Sequence, residues 1–124
     1  MKRIIKKDQS SVINYINDQK LLHLAIRAGY KNIVEYLLKK GANPNIQNNN
    51  GETTLHFAAM NGCVRTIECL IKSGAIIDSF DKFERTPLEL AINSGNTDAV
   101  KLFLQYEATI GNTLNQYLNI LVKN

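Results

Sequence analysis

The chain has 124 residues, of which 44% are hydrophobic and 21% charged. That length suits one domain, and that composition excludes a disordered tail too poor in apolar side chains to fold. Seven Gly and two Pro exclude collagen-like or linker sequence, two Cys are too few for a disulfide scaffold, and no run approaches the roughly 20 apolar residues of a membrane span. The net charge of +4 is uneven: residues 1–50 hold nine basic and three acidic side chains, and residues 51–124 hold six and eight.

Met1–Lys7 (MKRIIKK) begins like the positive part of a signal peptide, but Asp8, Gln9, Ser10 and Ser11 follow where an apolar stretch is required. The expectation is an intracellular, cytoplasmic chain, in the cytosol of a host if the source infects other cells. Cys63 and Cys69 fit that expectation as free thiols. The abundance of Asn, Ile and Lys, all with A/T-rich codons, suggests a low-G+C source.

Self-similarity organises the chain. Leu22, Leu55 and Leu88 are spaced by 33, as are Ala25, Ala58 and Ala91, and Gly29, Gly62 and Gly95. Val34, Ile67 and Val100 keep the step, then Leu37, Leu70 and Phe103, and finally Ala42, Ala75 and Ala108. Within each copy, Leu22/Ala25/Ile26, Leu55/Ala58/Ala59 and Leu88/Ala91/Ile92 lie at i, i+3, i+4, which predicts a short first helix stopped by Gly29, Gly62 or Gly95. A second helix follows, with apolar stripes Ile33/Val34/Leu37/Leu38, Val64/Ile67/Leu70/Ile71 and Val100/Phe103/Leu104. Gly41 and Gly74 end it in the first two copies, and a polar loop leads on. One such unit cannot bury its apolar face alone, so neighbours must stack.

Residues 1–17 are expected to be a degenerate repeat or a capping segment. Ile4 and Ile5 align with Leu37 and Leu38; alternatively Ser10–Asn17 forms a short helix with Val12, Ile13 and Ile16 toward the stack. The repeats are then 18–50, 51–83 and 84–111. Leu114, Tyr117, Leu118 and Leu121 predict an amphipathic C-terminal capping helix over Thr113–Val122, within a final segment 112–124.

The period and the motifs TTLHFAA (Thr53–Ala59), TPLELA (Thr86–Ala91) and KLLHLAI (Lys20–Ile26) resemble the ankyrin repeat over residues 20–111. The resemblance implies an all-α solenoid of stacked helix-turn-helix units with loop fingers. Thr53 and Thr86 are placed to cap the first helix, with Pro87 at its first position. His23 and His56 stand in the column that, in the family, ties adjacent repeats through backbone hydrogen bonds. Departures weaken the ends of the array: Lys20–Leu21 replaces the capping Thr-Pro, Glu89 replaces the His, and Glu84 and Glu107 stand where the other copies have Gly. A non-Gly residue forced into the left-handed region there costs roughly 1 kcal/mol.

The resemblance also implies a non-catalytic protein-binding scaffold that uses its loop tips and the concave first-helix face. Carried over by register, those positions are Arg27, Gln47, Asn49, Asn50, Glu52, Met60, Asn61, Phe80, Lys82, Phe83, Arg85 and Asn93. Phe80 and Phe83 stand out, since loop tips ordinarily carry polar turn residues and exposed aromatics anchor interfaces. No phosphate loop, HExxH or GxSxG motif supports an enzyme. No cofactor or metal is expected, because His23 and His56 have no third ligand in register and the cysteines lack CxxC spacing. The expected partner is another protein, met by a monomer away from membranes. The alternatives are a structural or regulatory segment of a larger protein, or a weak nucleic-acid binder through the basic N-terminal half.

Overall fold

The computed structural model describes residues 11–17, 20–106 and 108. Residues 11–17 are helical (α1). Six helices follow: α2 (Leu21–Ala28), α3 (Lys31–Lys39), α4 (Thr54–Asn61), α5 (Val64–Lys72), α6 (Pro87–Asn93) and α7 (Thr97–Gln105). The described residues contain no strand. The expected all-α solenoid is what the chain adopts. The first helices α2, α4 and α6 pack side by side, the second helices α3, α5 and α7 form a parallel row, and each first helix packs on the second helix after it.

Local chemistry sets the helix boundaries. The Thr53 hydroxyl accepts the His56 N–H and His56 reaches back to the Thr53 N–H, a reciprocal cap for α4. The Thr86 hydroxyl accepts the Glu89 N–H at 3.2 Å, with Pro87 opening α6. As expected, α2 lacks this support: Lys20 is left-handed (φ 53°) and offers no side-chain cap. Gly29 and Gly62 close α2 and α4 in the left-handed conformation, their N–H groups satisfying carbonyls of the last turn.

The repeated columns form the core. Leu22, Leu55 and Leu88 are buried, as are the alanines of the 25/58/91 column, Val34/Ile67/Val100 and Leu37/Leu70/Phe103. Removing each large side chain from water contributes roughly 1.5–3 kcal/mol. Alanine on the first-helix face permits close packing of α4 between α2 and α6. At the N-terminal end, Ile16 is buried, Ile13 lies against Gly41, and Asn17 Oδ1 accepts the Asn43 N–H at 2.9 Å. The expected short helix therefore meets the stack through Ile13 and Ile16.

Two apolar residues depart from expectation. Val12 faces outward on α1. Ile33, read as part of the buried stripe of α3, is 48% exposed, whereas Thr66 and Ala99 in the same column are buried. The reason is positional: Thr66 lies with Ile26 and Val34 of the preceding helix pair and α7, which carries Ala99, packs on α5, whereas α3 has no preceding second helix among the described residues. The possible outer-helix tail at residues 1–7, Glu107 and the C-terminal helix at Thr113–Val122 lie outside the described residues.

Candidate interaction surface

The loops between helix pairs are built twice to one plan. Asn48 Oδ1 accepts the N–H groups of Asn50 and Glu52, while the Asn48 N–H donates to the Glu52 carbonyl and the Gly51 N–H to the Asn48 carbonyl. Thirty-three residues later, Asp81 Oδ1 accepts the N–H groups of Phe83 and Arg85, the Asp81 N–H donates to the Arg85 carbonyl, and the Glu84 N–H to the Asp81 carbonyl. One short side chain thus folds each finger from within.

The fingers are tied to each other. The Lys82 N–H donates to the Asn50 carbonyl at 3.0 Å, and the Gln47 amide donates to the carbonyls of Gly51 and Phe80. This close approach requires glycine at position 51 (φ 73°), because a Cβ there would meet the Lys82 nitrogen at 2.8 Å. Glu84, in the equivalent place, takes the same left-handed conformation (φ 61°) despite its side chain, as its register predicts.

Histidines bind each finger to the helix before it. The Thr53 N–H donates to His56 Nδ1, so the ring proton sits on Nε2, which donates to the Arg85 carbonyl at 2.8 Å. His23 Nε2 makes the matching bond to the Glu52 carbonyl at 3.0 Å. The family-implied role of this column is therefore present at both positions. Burial holds both imidazoles below their ordinary pKa, against the raising effect of those carbonyls.

On this scaffold sit the candidate residues. Phe80 and Phe83 are 60% and 59% exposed at the second finger. Lys82 Nζ lies 5.3 Å and the Arg85 guanidinium 5.0 Å from the Phe83 ring centre. Arg85 Nε donates to Asp81 Oδ2 at 2.8 Å, fixing the guanidinium beside the ring. Burial pushes the Asp81 carboxyl up, but the Arg85 and Phe83 amides and the Arg85 guanidinium outweigh it and hold its pKa below the ordinary value.

Arg27, Asn50, Glu52, Met60 and Asn61 come together around one shallow depression at the foot of the first finger. Arg27 lies over the Phe57 ring, and the Asn61 amide donates to the Ile26 carbonyl. Asn49 is exposed at its finger tip, and Asn93 at the end of α6 lies apart from the depression. Glu52, Gln47, Asn61 and Arg85 each also carry a framework bond. Asp81, which organises the second finger, is not among the positions singled out from sequence; its register with Asn48 was the available signal.

No group of three or more His, Cys, Asp or Glu among the described residues is arranged to hold a metal ion. No helix of the described residues is long and apolar enough to cross a membrane. Cys63 and Cys69 are free and half-buried. The family model described as ankyrin repeats, three copies, matches residues 22–113. The chain therefore belongs to the ankyrin-repeat family, whose repeats are generally protein–protein interaction modules and typically non-enzymatic.

Proposed function

We propose that this chain is a non-catalytic adaptor, inhibitor or effector that docks one partner protein through its finger tips and first-helix face. The observation that carries this reading is the second finger: two aromatic rings stand in solvent on a loop whose backbone is held by the buried Asp81 carboxylate. Exposed rings on a rigid loop lose little freedom on binding, so most of their burial appears as affinity. The repeats are taken as residues 18–50, 51–83 and 84–111. The free thiols of Cys63 and Cys69 support an intracellular compartment.

Affinity capture from extract of the source organism, wild type beside Phe80→Ser/Phe83→Ser, tests the reading. The partner retained by wild type should fall at least about tenfold with the variant, as loss of an aromatic hot spot implies. Equal retention would move the interface off the second finger, and a nucleic acid as the retained species would replace the reading.

A further inference from the structure

The second-helix row carries a groove of its own, distinct from the fingers. Two shallow recesses lie along α3 and α5, and Asn32 borders both, so they join into one groove. Tyr30 and Lys31 stand at its first end, and Tyr36, Lys39 and Lys72 at its second. Each tyrosine is 59% exposed, and the three lysines are exposed as well. Lys31 and Lys39 are eight residues apart on one helix, which separates the two ends by about 12 Å. Glu35 is the one acidic side chain among the lining residues, and it is engaged by Arg65 at 2.7 Å. The groove therefore holds an excess of positive charge flanked by two exposed rings.

The framework does not account for this charge. Lys31 is the first residue of α3, where the helix dipole favours an acid. Lys39 and Lys72 lie in last turns, where a cation is favourable, yet α7 has Gln105 in that column. One repeat later the Glu35 and Arg65 columns hold Glu68 and Asp98, and the Lys31 column holds Val64, so the positive excess does not continue into the α5–α7 groove. Ile33 lines the first recess alone and Leu38 the second alone, with Asn32 and the Glu35–Arg65 ion pair in between. An amphipathic helix thus finds no continuous apolar stripe. A single nucleic-acid strand needs none: its phosphates meet cations and its bases stack on rings whatever their sequence.

We propose that the α3–α5 groove binds a single-stranded nucleic acid, its phosphates on Lys31, Lys39 and Lys72 and its bases on Tyr30 and Tyr36. This surface is additional to the fingers and does not rest on their role. The probes are fluorescently labelled oligouridylate and oligothymidylate, titrated by anisotropy against the full chain at stepped salt. Three phosphate contacts on a single strand imply that log affinity falls against log salt with a slope of roughly −2, and Lys39→Gln/Lys72→Gln should bring that slope to roughly −0.7. Tyr30→Ala/Tyr36→Ala should weaken binding at least about tenfold with the slope unchanged, because stacking carries no counterion release. Phe80→Ser/Phe83→Ser should bind as wild type does, which separates the groove from the finger surface. Circular dichroism checks that all three variants fold. No binding of either oligonucleotide at about 100 µM chain, the weak limit of non-specific association, would overturn the proposal. So would wild-type affinity in Tyr30→Ala/Tyr36→Ala, or a salt slope that the lysine variant leaves unchanged. Polyglutamate bound as tightly as the oligonucleotides would also overturn it and assign the groove to an acidic protein segment.

Discussion

His56 Nε2 lies 2.8 Å from the Arg85 carbonyl, 29 residues further along the chain, and His23 Nε2 lies 3.0 Å from the Glu52 carbonyl at the same separation. Each imidazole is buried, and each fastens the helix that carries it to the base of the following finger. His56→Ala therefore leaves the Thr53 N–H without its partner, takes from the Arg85 carbonyl one of its two donors, and opens a void at the centre of the stack. A loss of about 2–4 kcal/mol is expected from the combined hydrogen-bond and cavity costs. Urea denaturation followed by circular dichroism measures it, and a loss under about 0.5 kcal/mol, the scale of an ordinary surface substitution, would show that the ties are incidental.

The same burial makes stability depend on pH. In the unfolded chain each imidazole titrates near its ordinary value of about 6.5, and in the fold both titrate lower. Between those values the unfolded state binds more protons. The histidine contribution is thus fully present above about pH 6.5 and is lost as pH falls through the folded values, at up to about 1.4 kcal/mol per pH unit for each group. Denaturation at stepped pH should show this slope, reduced by about half in His23→Gln. A flat profile from neutrality down to pH 5 would contradict the assignment.

Gly51 and Glu84 share a column and a left-handed backbone, but their substitutions should have opposite signs. Gly51→Ala drives a Cβ to 2.8 Å from the Lys82 nitrogen, and it should destabilise by at least about 1–2 kcal/mol. Glu84→Gly relieves a strained φ of 61° and should stabilise by about 0.5–1 kcal/mol, the relief being partly offset by the greater freedom of glycine in the unfolded chain. Paired thermal melts compare the two directly. Changes of like sign would mean that the strain at Glu84 is offset by contacts of its side chain.

Asp81 separates the shape of the finger from its charge. Asn48 folds the first finger with a neutral amide, so Asp81→Asn keeps an oxygen for the Phe83 and Arg85 N–H groups while losing the ion pair with Arg85. It should cost about 1 kcal/mol, and Asp81→Ala about 2–3 kcal/mol because both amides then lose their acceptor. With its pKa held below the ordinary carboxylate value, Asp81 stabilises the fold above about pH 4, and this is lost as pH falls through the folded pKa. Partner capture should survive the Asn variant and fail with the Ala variant. Equal loss in both would make the charge itself a contact.

Much of this fold is legible in the sequence because framework columns must repeat whenever identical units stack. The Leu, Ala and Gly columns give the period, the caps at Thr53 and Thr86 give helix starts, and the His column gives the ties. Ile33 was misleading for the same reason. A stripe at helical spacing shows which face is apolar, but burial also needs a neighbour, and α3 has no preceding second helix among the described residues. The finger surface was partly legible: exposure of Phe80 and Phe83 followed from their place beside turn residues. The role of Asp81 was hidden, since an acidic turn residue looks the same in sequence whether it faces solvent or, as here, is buried against three donors.

The most direct test of the finger as the docking surface is site-specific photocrosslinking in extract of the source organism. A benzophenone side chain is placed at position 83, and in a second protein at Lys101, which is exposed on the opposite row of helices. One crosslinked protein is expected from position 83 and none from position 101. Crosslinking from position 101 alone would contradict it and place the partner on the second-helix row.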